Sequence, residues 1–279
     1  MRKNRNKLRI FSPSKLVAKS RVVESLQLPE SHVRPLTLTQ ASKPLATPRM
    51  IRPFILTCDK RLDTFRKFVQ SYKRIAHSLL QPVLIIDDSN PETREEYHEL
   101  LLELDPFAAI AQPKYKSLNP GANIQRMMVR DFPKIALQFS DHDALFMEDD
   151  ILLSSKFPEG ITTASRYIQD DADFITLYSA SVYGKYDRWP SYGFMHPFNG
   201  FDYYGNICVL FSHRVIRDLA NNWKKVEGIK APFDCRWGQY VQKRGYRMYE
   251  TSVHYAAHQA GRSALNKVVK GFRGARFQP

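Results

Sequence analysis

Short apolar runs alternate along this chain with longer stretches whose apolar residues recur every three to four positions. Pro53–Thr57 reads PFILT and Pro82–Ile86 reads PVLII. Each run is too short for a helix and apolar at successive positions, the pattern of a strand buried on both faces. Between them Phe65, Phe68, Val69, Tyr72, Ile75 and Ala76 share one face of a helix expected over Asp63–Leu80. A second helix is expected from Glu92 to Leu104, after the turn Ser89, Asn90, Pro91, with the acid-rich start that the helix dipole favours. A weaker strand over Ala108–Gln112, a helix over Asn123–Leu137 and a strand over Ala144–Met147 continue the alternation. The pattern predicts an α/β fold whose central sheet is mostly parallel and flanked by helices.

The stretch Asp143–Ser155, DALFMEDDILLSS, concentrates the chemistry. A strand leads into Glu148, Asp149 and Asp150, and Ile151, Leu152 and Leu153 turn back into the core. Clustered carboxylates repel one another and are costly to bury unless something cationic neutralises them. A divalent metal held by hard oxygen ligands, Mn2+ or Mg2+, is one answer, and a solvated or helix-capping acidic turn is the other. In sheets of this kind ligands bind outside the carboxyl ends of the strands. Thr57 to Arg61, Asp87 with Asp88, and Glu148–Asp150 all fall at such ends. No GxxxxGK[ST] loop or GxGxxG turn follows the first strand, so a metal rather than a glycine-rich cradle is expected to hold a diphosphate.

Charge adds a second theme. The net charge is +14, but residues 1–50 hold eleven Lys/Arg against Glu24 and Glu30. Arg262, Lys267, Lys270, Arg273 and Arg276 stand without an acid in residues 261–279. The middle of the chain is therefore neutral, and two basic ends imply a polyanionic partner, nucleic acid or an anionic membrane surface. Residues 1–50, punctuated by Pro13, Pro29, Pro35, Pro44 and Pro48, read as a poorly ordered basic arm with a short helix near Ser14–Leu26. A folded domain over 51–263 and a basic tail over 264–279 complete the expected organisation. No apolar run is long enough to span a bilayer, the amino terminus has no signal-peptide core, and Cys58, Cys208 and Cys235 lack paired spacing. These features point to a cytoplasmic protein, soluble or peripheral, with reduced cysteines.

The succession of motifs resembles the GT-A glycosyltransferases, the nucleotide-sugar-dependent class with a Rossmann-like sheet and a DxD-type metal motif. PFILTCDKRLDTFRKFVQSY is similar to their first strand and helix, IIDDSNPET to the second strand end, and LNPGANIQRM to the segment that approaches the nucleotide. LFMEDDILLS resembles the metal motif, although it lacks the non-acidic middle residue, and GNICVLFSHRVIRDL the later strand and helix of the acceptor side. Phe233–Tyr249 resembles the acid-bearing helix of inverting members, and His258–Ser263 their terminal HxxGxxS-like segment. The resemblance implies an inverting transferase with Asp150 and His258 as metal ligands and Asp234 as catalytic base. It further implies donor contacts from Thr57, Arg61, Asp87, Asn119, Gly121, Asn123 and Asp149.

The residue types suit that chemistry. A metal stabilises the charge that builds on a leaving diphosphate, and a carboxylate can take the proton of an attacking hydroxyl. Asp234, behind Pro232 and Phe233, serves equally as a helix N-cap, and His258 beside Tyr255 and two alanines serves equally as a packed side chain. Between Tyr183 and Tyr204 the chain turns aromatic, and Trp189 and Tyr192 are the rings expected to stack on an acceptor, glycan or hydroxylated DNA base; the remaining rings suit ordinary packing. Two other classes stay open: a nucleotidyltransferase on the same sheet, or a non-catalytic nucleic-acid-binding protein.

Overall fold

A computed structural model of the 279-residue chain describes residues 50–58, 61–77, 80–87, 94–112, 120–139, 142–170, 172–178, 195–197, 207–232, 235–251, 254–259, 261–262 and 268–269. All of them belong to the unit Leu45–Pro279. The short helix expected near Ser14–Leu26 and the rest of the arm through residue 49 lie outside the described residues.

Strand β1 (Met50–Cys58) is followed by α1 (Leu62–Ile75), β2 (Val83–Asp87), α2 (Arg94–Glu103) and β3 (Ala108–Gln112). Helix α3 (Pro120–Arg126), a π-helical turn (Met127–Asp131) and α4 (Phe132–Ala136) lead to β4 (His142–Glu148), β5 (Ile151–Leu153), α5 (Phe157–Asp170) and β6 (Phe174–Thr176). Then come β7 (Met195–Pro197), β8 (Cys208–Phe211), α6 (His213–Glu227), α7 (Arg236–Lys243), β9 (Met248–Thr251), β10 (Ala256–His258), β11 (Gly261–Arg262) and β12 (Val268–Val269).

Eight of these strands form one mixed, mostly parallel sheet in the order β3-β2-β1-β4-β8-β6-β9-β7. Strands β3, β2, β1 and β4 are mutually parallel, as their fully apolar runs predict. Strand β8 runs antiparallel to both β4 and β6, β9 is parallel to β6, and β7 closes the edge antiparallel. The pleat divides the strand residues between two apolar layers. Ile55, Leu84 and Leu145 face Phe65, Phe68 and Tyr72 of α1. Phe54, Val83 and Phe146 face Phe132, Leu219 and Trp237 of α4, α6 and α7. Phe132 is the hub of that second layer, its ring centroid 4.9 Å from Phe146, 5.6 Å from Trp237 and 5.7 Å from both Phe54 and Phe211. Edge-on and tilted contacts of this kind add to the burial of large apolar area.

Two elements differ from their sequence patterns. Helix α1 stops at Ile75, short of Leu80, because the Tyr72 carbonyl accepts from both Ala76 N (2.8 Å) and His77 N (3.0 Å). The acid-bearing helix expected across Phe233–Tyr249 is shorter too. Helix α7 ends at Lys243, Gly245 turns the chain at φ 74°, and Met248–Thr251 joins the sheet. Glycine takes that left-handed conformation without the clash a Cβ would cause. Part of the expected carboxyl-terminal tail is paired as well, Val268 and Val269 lying against Gly261 and Arg262.

The topology fixes where a ligand can sit. From β1 the chain moves outward through β2 to β3, then returns to place β4 on the other side of β1. At such a switch point the connections leave in opposite directions and a crevice opens above the carboxyl ends of the two strands.

Packing between α5 and Tyr255, just before β10, is tight. A Cβ built on Gly160 meets the ring of buried Tyr255 at 2.6 Å. Gly160→Ala therefore destabilises the protein, because overpacking costs about 1–3 kcal/mol and exceeds the roughly 1 kcal/mol gained in helix propensity. Urea unfolding of the variant checks the sign.

Candidate active site

The carboxyl end of β4 is built from its neighbours. Leu56 stands opposite Glu148 in the β1–β4 register, which carries Thr57 and Cys58 to the level of Asp149. Thr57 Oγ1 and the Cys58 amide both donate to Asp149 Oδ2, at 2.9 and 3.1 Å. Tyr97, reaching across from α2, donates its hydroxyl to Thr57 Oγ1 at 3.1 Å. Arg61, immediately before α1, places one guanidinium nitrogen on Asp149 Oδ1 and the other on Asp150 Oδ2. Asp149 is thus fully enclosed, with both oxygens used, whereas Asp150 Oδ1 is buried and finds no hydrogen-bond partner.

A second element returns to the same turn. Strand β5 pairs antiparallel with β10, and His258 stands opposite Ile151. Its Nε2 lies 3.1 Å from Asp150 Oδ2, while Nδ1 lies 2.8 Å from the Gln259 carbonyl and must donate to it. Gln259 locks the return: its amide donates to Asp150 O at 2.8 Å, and its side-chain nitrogen donates to Thr64 O and Ile151 O at 3.0 Å each.

The charges therefore form a closed group of buried carboxylates and protein cations. Burial pushes the Asp149 carboxyl up and Asp150 adds repulsion, with Arg61 pulling the other way. Burial opposes ionisation of Asp150 also, but Arg61 and His258 outweigh it and hold that carboxyl below its ordinary range. Burial works against the His258 imidazolium as well. The bond to Asp150 and the charges of Asp150 and Glu148 prevail, lifting its pKa from 6.5 to about 9. The sequence suggests a divalent metal as the natural neutraliser of these acids; in the fold Arg61 and His258 supply two cations from the chain itself.

The end of β2 completes the cleft. Asp87 is buried and accepts from Asn123 Nδ2 at 3.0 Å, which draws the start of the α3 segment over the strand end. Leu56, Thr57, Arg61, Asp87, Ile124 and Glu148 line a shallow cleft. The fold thus gathers Thr57, Arg61, Asp87, Asn123, Asp149, Asp150 and His258 around one crevice. Gly121 lies in α3 beside Asn123. Asn119, Trp189, Tyr192 and Asp234 lie outside the described residues.

Two contributors escape sequence reasoning. Tyr97 looks like one more apolar position of α2, and Gln259 like an incidental member of the HQAGRS run. Glu148, expected with Asp149 and Asp150 at the strand end, lines the cleft.

The donor set fits a divalent cation. Asp150 Oδ1 is a buried acceptor without a partner, and a neutral His258 with its proton on Nδ1 would present the Nε2 lone pair beside the same carboxylate, 3.1 Å from Oδ2. Among the described residues no group of three or more His, Cys, Asp or Glu surrounds a metal position. Magnesium and manganese commonly take one or two protein ligands and complete their sphere with water and substrate phosphates.

No family model and no curated protein matches the sequence. Among solved structures, the chain is similar to the mannosyltransferase PcManGT from Pyrobaculum calidifontis in complex with GDP-Man and Mn2+, at 11% identity and a TM-score of 0.45. It is also similar to S. aureus TarS 1-349, at 13% identity and a TM-score of 0.46. Each match covers 76% of this chain, which spans 59% and 60% of the two proteins.

The raised His258 pKa sets a pH dependence in metal-free protein. A group whose folded pKa exceeds its unfolded value contributes stability that is fully present below about 6.5 and lost as pH rises through about 9. Urea unfolding should show stability falling across that window. The fall should flatten in Asp150→Ala, which also loses about 1–3 kcal/mol at pH 6 with its charged hydrogen bonds.

Proposed function

We propose that this chain is a metal-dependent glycosyltransferase that moves a sugar from a nucleotide-sugar donor to an acceptor hydroxyl, with inversion. One observation carries the reading. His258, more than a hundred residues further along the chain, is returned by the β5–β10 ribbon to within 3.1 Å of Asp150, at the switch-point crevice of an open α/β sheet. A helix cap or a solvated acidic turn has no need of that convergence.

In this reading Asp150 and His258 hold the cation, Mn2+ or Mg2+, which when bound neutralises charge building on the leaving diphosphate. Asp87, oriented by Asn123, faces the base or ribose of the donor, and Asn119 and Gly121 bring the backbone close to it. Thr57 and Asp149 hold the acid turn in place, and Arg61 contributes a cation at the edge of the cleft. Asp234 takes the proton of the attacking hydroxyl. Trp189 and Tyr192 form the acceptor platform.

The acceptor in this proposal is carried on a polyanion, of which a hydroxylated base in DNA is the favoured form and a membrane-associated glycan the other. The basic ends of the chain support this, and so does a patch on the folded body. Trp223, partly exposed, has Lys134 Nζ at 5.4 Å and Lys224 Nζ at 5.7 Å from its ring, with the Arg130 guanidinium, itself paired with Asp131, at 5.9 Å. Cations gathered on an aromatic face suit a phosphate backbone, which they hold without reading its sequence. No helix among the described residues is long and apolar enough to cross a membrane. A cytoplasmic location, soluble or peripheral, belongs to the same proposal.

Hydrolysis of a panel of nucleotide-sugars with Mn2+ tests the reaction. Wild type should release nucleoside diphosphate and lose this activity in EDTA, and Asp150→Ala should be inactive while still folded. Undiminished turnover in Asp150→Ala refutes the metal role. For the acceptor, a chain beginning at Arg49 should keep donor hydrolysis but lose salt-sensitive binding to DNA. Loss of binding to anionic vesicles instead would name the membrane as the partner.

A further inference from the structure

Arg61 occupies the place where a cation is expected, and it does so incompletely. Its fork spans two carboxylates, one nitrogen to Asp149 and one to Asp150. Its own Nε is buried without a hydrogen-bond partner, as is Asp150 Oδ1. A buried donor and a buried acceptor left unmet in the same cluster are costly, so the observed arrangement is not the one in which every polar group is satisfied. The side chain is 12% exposed and lines the cleft, so the guanidinium stands between the acids and any ligand there.

We infer that Arg61 is an exchangeable counter-cation. It closes the acid pair while the cleft lacks a nucleotide, and passes to the diphosphate when donor and metal bind. Both unmet groups find partners in that exchange. The planar guanidinium, Nε included, matches phosphate oxygens as well as it matches a carboxylate pair. Asp150, relieved of Arg61, would be free to hold the metal, while Asp149 keeps its bonds from Thr57 and Cys58. A divalent ion arriving alone must instead share Asp150 with a guanidinium and is repelled by it. Metal and nucleoside diphosphate therefore bind with positive coupling, and the coupling passes through Arg61. By linkage each strengthens the other by the same factor. The inference rests on the metal reading proposed above and extends it from which residues hold the ion to what controls its entry.

The test is Mn2+ affinity of the full chain, followed by the electron paramagnetic resonance of free Mn2+, with no turnover required. Without nucleotide, Arg61→Gln should bind Mn2+ about tenfold or more tightly than wild type, within the usual range of coupling between sites. Arg61→Lys, which keeps the charge but cannot bridge two carboxylates, should lie between them. Adding GDP or UDP should tighten Mn2+ on wild type and change Arg61→Gln little. Arg66→Gln, one turn along α1 and paired with Glu96 on the surface, should behave as wild type.

A merely structural Arg61 gives the opposite pattern, and equal or weaker Mn2+ binding in both Arg61 variants overturns the exchange. Should Arg61→Gln fail to fold, Arg61→Lys and the effect of nucleotide on wild type decide, and absence of coupling there also overturns it. If no form binds Mn2+ with or without GDP or UDP, the metal reading falls and takes the exchange with it.

Discussion

Two adjacent carboxylates at the end of a buried strand are the constraint to which the rest of the site answers. Asp149 and Asp150 are both enclosed, and neither could remain charged there without cations within hydrogen-bond reach. Arg61 and His258 meet that need from opposite directions, one at the start of α1 and the other at the end of β10. The fold holds those two ends against the turn. Thr57 and Cys58 on β1 fix Asp149, and Gln259 ties β10 to both Asp150 and α1. Asp149 is the anchored acid and Asp150 the one with an open oxygen. That division follows from which neighbours reach each carboxylate.

The sheet supplies the rigid frame on which this asymmetry becomes useful. Strands β1, β2 and β4 are parallel and apolar through their middles, and Thr57, Asp87 and Glu148 stand at their carboxyl ends, where the reversal of strand order opens a crevice. Two helical layers cover the faces. The layer around Phe132 also carries α3 and the π-helical turn, which directs Met127, Met128, Val129 and Asp131 inward together. Wide turns of this kind cluster at functional sites, and here one follows directly on the helix that sets Asn123 against Asp87.

Much of this was legible in the chain. The runs around Pro53–Thr57, Pro82–Ile86 and Ala144–Met147 mark β1, β2 and β4 because a strand buried on both faces needs apolar residues at every position, and the weaker run Ala108–Gln112 marks β3, an edge strand with Ala109 exposed. Strands β6, β7 and β9, three or four residues each, are too short to show a period and were not foreseen. Asp150 stands out locally as an acid after an apolar run. His258 does not, since nothing near it in sequence distinguishes a ligand from a packed histidine, and only the likeness to a known family singled it out. The bridge made by Arg61 was invisible for a different reason. It depends on the angle at which one side chain leaves the start of α1, and no spacing in the sequence encodes that. The neutral charge of the middle segment likewise hides the basic ring around Trp223, because charge balance along a chain says nothing of balance across a surface.

The proposed reaction requires that the turn after β4 and the histidine of β10 together hold a cation in the crevice. Anomalous diffraction from crystals grown with Mn2+ and GDP or UDP addresses it most directly. The expected result is a manganese peak within coordination distance of Asp150 and His258 Nε2, with the guanidinium of Arg61 turned from Asp150 toward the diphosphate. A manganese ion elsewhere, with Arg61 still bridging Asp149 and Asp150 beside a bound nucleotide, would contradict it.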